Sequence, residues 1–411
     1  MYVFRRWRRA VNDIVRRNVR LLTWFNFCSD FRIYNAIAVI YFAHVSGSYA
    51  LGIGVFSIAK LSSAFFEVPT GVFSDFLGRK LTLALGQLSS VASIACYGLA
   101  GSFSFLAIGA VLEGLSFSLF SGNNDALLFE TLKQEEREPE FAEFHGRVTS
   151  RFQLALAVSA AVAMIALKWL SFRDLFWISV VPQIIGFVLT FAMREPRVLR
   201  SDVDRSIVAH LREAIAGFAR DRNLRLLVFA SALGFAIGEA KFLFYPAFFA
   251  LFWRDQALAS ARLLSHTAGA LGFRFAGALI RRRGETEILV GTSALAVTIG
   301  TLSAAMANVA SPLLSSVSSL LFGPSVVAQQ TLAQKAFSDR QRATMASLSQ
   351  SAGNLFFAVA ATSIGLLADR LGPRYALLIA EILGISVTYL FWRLYGRMAK
   401  TEAHRRENKT P

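Results

Sequence analysis

A chain of 411 residues that is 55% hydrophobic and only 17% charged, with a mean hydropathy of +0.48, is too apolar for a soluble protein, whose apolar share is roughly 45–50%. Its net charge of +16 invites a nucleic-acid reading, but Lys and Arg sit at the edges of apolar runs and form no continuous patch, so no nucleic-acid partner is expected. Cys28 and Cys96 both lie inside apolar segments, which argues against a disulfide framework and for buried packing.

The first 20 residues form a basic arm with seven arginines between Arg5 and Arg20. Phe4, Trp7, Val11, Ile14 and Val15 recur at helical spacing, which predicts an amphipathic helix on an anionic membrane surface. The first apolar run after the arm is as long as a bilayer span, so no cleavable signal peptide is expected. Twelve apolar segments follow, each near the ~20 residues a bilayer requires. They are read as 21–42, 50–72, 81–100, 105–132, 148–170 and 175–193, then 226–252, 259–280, 288–307, 313–337, 343–367 and 375–395. The expected organisation is an arm (1–20), a six-helix bundle (21–193), a basic linker with an interfacial helix (194–225), a second six-helix bundle (226–396) and a basic tail (397–411). Lys and Arg crowd the arm, Arg79/Lys80, Lys133/Arg137/Arg147, the linker, Arg281–Arg283, Arg340/Arg342 and the tail. With that bias both termini are expected in the cytoplasm, and the membrane is read as a bacterial inner membrane.

One stretch organises the rest. From Gly71 to Lys80 the chain reads G-x-x-x-D-x-x-G-R-K, led in by Glu67-Val-Pro-Thr. Gly71 is expected to let two helix ends approach closely, and Gly78 to permit a tight turn. Asp75 is expected to accept from helix N-termini or basic side chains, and Arg79 and Lys80 to mark the cytoplasmic edge. The spacing returns at Gly277–Gly284, with Arg281 in the acidic place, and at Gly365–Gly372, with Asp369 there. The topology puts that last copy on the outer side, so no gating role is assigned to it. Together with Arg194-Glu195-Pro196 after the sixth span, these residues resemble the loop motif of the major facilitator superfamily of secondary transporters. The resemblance runs from about Leu21 to Tyr395. It implies an all-α membrane protein of twelve transmembrane helices in two pseudo-symmetric six-helix bundles, with the first and seventh helices lining a central cavity.

Ionisable groups inside spans are disfavoured by roughly 2.5–3.5 kcal/mol, so each needs a reason. The first span carries Asp30 and Arg32, and the seventh carries Glu239 and Lys241. Residues two apart on a helix point about 200° apart, so neither pair closes on itself. One reading makes Asp30 and Glu239 proton or substrate sites with Arg32 and Lys241 as counter-charges; the other makes all four parts of fixed interhelical ion pairs. Lys60 needs an acid, with Asp30 and Glu113 as candidates. Glu113 is a further cavity candidate, and Glu67 belongs either to the cavity or to a gate. At the cytoplasmic end of the fourth span, Asp125 or Glu130 is expected to meet Arg79 or Arg147 as an inside gate. Glu381, in the last span, is read as packing.

No P-loop or nucleophile elbow is present, and the five histidines show no metal-ligand spacing, so no enzyme activity, cofactor or metal is expected. The expected function is secondary transport of a small organic solute by alternating access, with proton-coupled efflux preferred. Proton-coupled uptake of a metabolite or siderophore-like solute stays open. So does a non-transporting membrane sensor or assembly protein on the same fold. The expected partners are the solute, protons and the lipid bilayer, with the protein a monomer.

Overall fold

The computed structural model describes residues 2–137, 140–196, 222–336 and 342–407, and within them every regular element is helical. Ten helices there are long and apolar enough to cross a membrane. The linker's interfacial helix falls almost wholly outside the described residues.

The first predicted span is not one helix. Helix α1 runs Tyr2–Asp30, a 3-10 turn occupies Ile33–Ala36, and α2 resumes at Ala38–Ser46. The arm is therefore continuous in backbone with the span, and the interruption falls at the acid-x-base pair. Arg32 is extended (φ −121, ψ 95). A break at membrane depth survives only where the freed backbone groups find partners. Gln183 Nε2 donates to the carbonyls of Cys28 (2.9 Å) and Ser29 (3.3 Å). Arg32 Nε also donates to Ser29 O (3.1 Å), and Ile33 N donates to Ser179 Oγ (3.0 Å).

Helix α3 (Tyr49–Leu77) is followed by α4 (Arg79–Leu99). The fourth predicted span is α5 (Phe103–Phe120) and α6 (Asn123–Gln134), hinged at Gly122 (φ 70). Helices α7 (Phe141–Ala166) and α8 (Phe172–Ala192) complete the first half; the apolar part of α7 is Leu154–Ala166. The second half comprises α9 (Arg222–Phe249), α10 (Asp255–Arg283), α11 (Glu285–Met306), α12 (Ser311–Ser318), α13 (Phe322–Ala336), α14 (Arg342–Leu371) and α15 (Pro373–Glu407). Each of the three glycine motifs ends at a one-residue corner with positive φ: Gly78 (92°), Gly284 (81°) and Gly372 (83°). At Gly78 and Gly284 ψ is near 160°, a region essentially closed to residues with a Cβ.

Chain contacts define two compact units. One is Met1–Gly47, Ile58–Asp202 and Asp255–Leu263; the other is Ser48–Ser57, Val203–Arg254 and Leu264–Pro411. In the first, α4 packs on α5 and α8, and α1 on α7 and α8. An aromatic cluster seals the end of the first span: Tyr34 stacks on Phe176 at 4.4 Å and Phe42 lies 4.8 Å from Tyr97. In the second, α9 packs on α14 and α15, and α11 on α13 and α15. Large apolar side chains such as Phe65, Phe76 and Trp169, each at least 75% exposed, fit a surface whose solvent is lipid tails.

Helices in lipid associate through close backbone approach at small residues. In the first unit that approach is at Gly114, where an added Cβ would stand 2.5 Å from Ala59 O. The approach expected at Gly71 is absent, since nothing lies within 4 Å of a Cβ there. The reason is position: α3 meets α5 through Ala59 and Ser62, about two turns or more before Gly71. Gly114→Ala is accordingly expected to lower thermal stability in detergent by about 1–3 kcal/mol. Gly71→Ala, a helical glycine in open space, is expected to be neutral or to stabilise by up to about 1 kcal/mol. Equal losses at both positions would refute this assignment.

Candidate functional site

The break in the first span delivers Arg32 to a buried cluster in the first unit. Its guanidinium pairs with Glu113 of α5, reaches Ser90 Oγ of α4 (3.4 Å) and lies over the Phe117 ring, 5.1 Å from the centroid. The second oxygen of Glu113 accepts from Tyr97 OH (2.8 Å). A chain of neutral hydrogen bonds continues from there. Ser90 Oγ donates to Gln183 Oε1 (3.0 Å), Gln87 Nε2 to the same oxygen (2.6 Å), and Ser29 Oγ to Gln87 Oε1 (2.9 Å). Arg32 and Glu113 are both below 10% exposed, so the pair is held in low dielectric with its hydrogen-bonding capacity engaged, as a buried ion pair requires.

The second unit repeats the chemistry with different helices. Lys241 Nζ of α9 pairs with Glu381 Oε2 of α15 at 2.6 Å, and Tyr245 OH donates to Glu381 Oε1 at 2.8 Å. Glu381 is 0% exposed. Gly300 of α11 makes the room, since a Cβ there would stand 2.4 Å from the carboxylate. The sequence reading of Glu381 as plain packing missed its charge partner.

In both acid-x-base pairs the base is thus bound to a carboxylate on another helix. The acids are not. Asp30 and Glu239 are half-buried, and among the described residues neither side chain makes a hydrogen bond or ion pair. Asp30, the last residue of α1, lines a cavity of about 300 Å³ with Asn26, Phe120, Gly122, Asn124, Asp125, His145, Val148 and Phe152. Asn124 Nδ2 donates to Asn26 Oδ1 (3.0 Å), and His145 Nε2 lies 3.1 Å from Asp125 Oδ1. A pocket with an unpaired carboxylate, two amides, an acid–imidazole pair and two phenyl rings suits a small polar solute with an apolar face. Lys60, for which Asp30 or Glu113 was the expected partner, shares the Phe117 ring with Arg32, at 5.9 Å.

At the G-R-K loop, Arg79 Nε bonds Glu130 Oε1 (3.1 Å) and its NH1 reaches Ser74 Oγ (2.6 Å) and Asn123 Oδ1 (3.3 Å). Ser74 Oγ also bonds Asn123 Oδ1. The pairing of Arg79 with Glu130 matches the expected partners, and both belong to the first unit. Among the described residues Asp125 meets His145. The side chains of Asp75 and Arg147 lie outside the described residues. Glu195 caps the start of α4: it accepts from Arg79 N (2.6 Å) and Lys80 N (2.8 Å). Lys80 Nζ bonds Phe191 O (3.0 Å). Glu67 is half-buried on α3, and its side chain makes no hydrogen bond or ion pair among the described residues.

In the Gly365–Gly372 copy, given no role above, the acid of the motif caps a helix. Asp369 accepts from Ser48 Oγ (2.6 Å), Tyr49 N (2.6 Å) and Ala50 N (3.1 Å) at the start of α3. The glycine spacing was the legible signal; the partner, more than 300 residues away in sequence, was not.

Comparison with known proteins follows the same lines. A family model described as Major Facilitator Superfamily matches residues 21–361. No curated protein matches the sequence. Among solved structures, a point mutant of the nucleoside transporter NupG superposes with a TM-score of 0.78 at 13% identity, covering 93% of this chain and 100% of that one. A bacterial homologue of the human lysosomal transporter Spinster, in an inward-facing and unoccupied conformation, gives a TM-score of 0.73 at 14% identity, covering 93% and 96%.

Proposed function

The chain belongs to the major facilitator superfamily, and from that premise we propose that it is a secondary active transporter moving a small organic solute by alternating access. As a member it is a multi-pass integral membrane protein. In our reading protons are the coupling ion, and Asp30 and Glu239 are the carboxylates that carry them. One observation supports this reading above the others. Of the mid-span acids expected to be functional, Glu113 is bound to Arg32 and Tyr97, whereas Asp30 and Glu239 make no hydrogen bond or ion pair among the described residues. A carboxylate locked to a guanidinium and a phenol has no reason to exchange its proton during a cycle. An unpaired one beside a polar pocket does.

Protonation of Asp30 removes a negative charge from the pocket wall, and its loss restores an acceptor for a donor on the solute. Solute and proton then compete for, or share, one carboxyl group. Efflux is the direction we propose, since an acid-bearing pocket flanked by Phe120 and Phe152 suits an amphipathic molecule. We place the chain in a bacterial inner membrane, as a monomer with both termini in the cytoplasm. NupG is a nucleoside transporter, so nucleosides form a natural first panel for a thermal-shift screen, beside organic cations.

The test is flux in proteoliposomes under an imposed pH gradient, with Asp30→Asn and Glu239→Gln made separately. Each is expected to reduce gradient-driven flux by at least about tenfold while solute exchange without a gradient persists, as expected for a functional intramembrane acid. Unchanged pH dependence in both variants would overturn the proton-site reading.

A further inference from the structure

We propose that Glu113 and Tyr97 are positioning residues for Asp30: by holding Arg32 they keep the first span broken and prevent Arg32 from closing on the Asp30 carboxylate. The inference rests on the reading of Asp30 as the coupling acid and adds the device that keeps that acid available.

Helix α1 stops at Asp30 because its final carbonyls are satisfied from the side, by Gln183 Nε2 on Cys28 O and Ser29 O and by Arg32 Nε on Ser29 O. Arg32 contributes to that stop only in its present orientation. The orientation is set on its remaining faces by Glu113, by Ser90 Oγ at 3.4 Å and by the Phe117 ring at 5.1 Å. Tyr97 OH, 2.8 Å from the other oxygen of Glu113, fixes the carboxylate in turn.

Electrostatics supplies the second half. Arg32 is two residues from Asp30, and because α1 ends at Asp30 and Arg32 is extended, the two are not held on opposite faces of one helix. Among the described residues that line the pocket with Asp30, the other titratable groups are Asp125 of α6 and His145 of α7, which face each other at 3.1 Å. Helix α8 presents only the neutral Gln183 and Ser179 to the break. Tyr34 lies in the break itself, Tyr97 of α4 is on Glu113, and Lys60 of α3 stands across Phe117. With Glu113 made neutral, a buried guanidinium would need a new carboxylate, because an uncompensated buried charge is strongly disfavoured. Asp30 is the nearest in sequence and has no competing ion pair. Arg32 would then take Asp30 as its partner, and Asp30 would leave the proton cycle with its chemistry intact but its charge neutralised in place.

Capture by Arg32 makes a prediction that general damage does not. Infrared difference spectroscopy on the purified protein reads the carboxylic-acid C=O band of Asp30 directly, identified by its disappearance in Asp30→Asn. The isosteric Glu113→Gln is expected to lose that band from the pH range in which the wild type shows it. Adding Arg32→Gln to Glu113→Gln is expected to restore it, since the capturing cation is gone. Tyr97→Phe, which removes one donor and no charge, is expected to give a partial loss and covers the case in which Glu113→Gln does not fold. Glu113→Asp, which keeps the charge, is expected to retain the band. An Asp30 band unaltered in Glu113→Gln, or one that the folded double variant fails to restore, would overturn the proposal. The band reports on Asp30 whether or not any solute moves. Failure of pH-driven flux with a responsive band therefore counts against the transport reading alone.

Discussion

Glu381→Ala is expected to be among the most destabilising single substitutions in the chain, lowering stability by about 3–5 kcal/mol. The carboxylate is 0% exposed, and its removal strands the Lys241 ammonium, 2.6 Å away, and the Tyr245 hydroxyl, 2.8 Å away, inside the second unit. The magnitude reflects the uncompensated cation more than the worth of the pair, because burying two charges already offsets most of their attraction. That distinction is testable. The double replacement Lys241→Met with Glu381→Met removes both charges and keeps unbranched side chains of similar length, so it is expected to recover most of the loss. Thermal unfolding in detergent of the single and double variants reads the difference. A single variant within about 1 kcal/mol of wild type, the range of an exposed ion pair, would mean that Lys241 finds another acid.

The contrast between the two halves shows what a sequence reveals of such a protein. Hydropathy and the Lys/Arg bias depend on composition over ~20-residue windows, so the helical membrane architecture was legible. The glycine corners were legible as well, because a positive φ at Gly78, Gly284 and Gly372 restricts the residue type itself. The break at Phe31–Ile37 was not, since Phe31-Arg32-Ile33 has the same hydropathy whether or not the helix continues. Besides Arg32 itself, the groups that satisfy the backbone at the break are Gln183 and Ser179, some 150 residues away. Depth along a span identified Asp30, Arg32, Glu113, Glu239 and Lys241 as needing partners. Which of them are paired, and with what, depends on helix rotation and neighbour, which no linear pattern encodes. Hence Glu381 was read as packing while it neutralises Lys241. Glu195 was legible only as part of an exit motif, although its carboxylate caps α4.

Gly365→Ala is expected to lower thermal stability by about 1–3 kcal/mol, as overpacking does in a well-filled core, and Asp369→Asn by about 0.5–2 kcal/mol, as loss of a helix cap does. Both residues act on the start of α3 in the second unit. A Cβ at Gly365 would stand 2.4 Å from Ala50 Cα and 2.8 Å from Ala50 N, and backbone, unlike the tip of a long side chain, has no rotamer by which to yield. Four residues on, Asp369 satisfies the first amides of α3, Tyr49 N at 2.6 Å and Ala50 N at 3.1 Å, groups that have no partner within their own helix. Ser48 Oγ donates to the same carboxylate at 2.6 Å while accepting from Leu51 N at 3.2 Å, so the cap is shared between two side chains. Asp369→Asn keeps an acceptor and loses the charge that favours a helix N-terminus. It should therefore leave the helix in place and loosen its first turn, whereas the methyl of Gly365→Ala must push the whole turn away. Hydrogen exchange separates these outcomes. Asp369→Asn is expected to speed exchange at Tyr49 and Ala50 by about tenfold, the equivalent of ~1.4 kcal/mol, and to leave residues beyond Ser57 unchanged. Gly365→Ala is expected to speed exchange along the entire Tyr49–Ser57 stretch. The glycine change at the second copy of the motif supplies the control. Gly277 has only the far end of Arg281, at 3.4 Å, near its missing Cβ, so Gly277→Ala is expected to be tolerated, because a guanidinium tip can move aside where the backbone of Ala50 cannot.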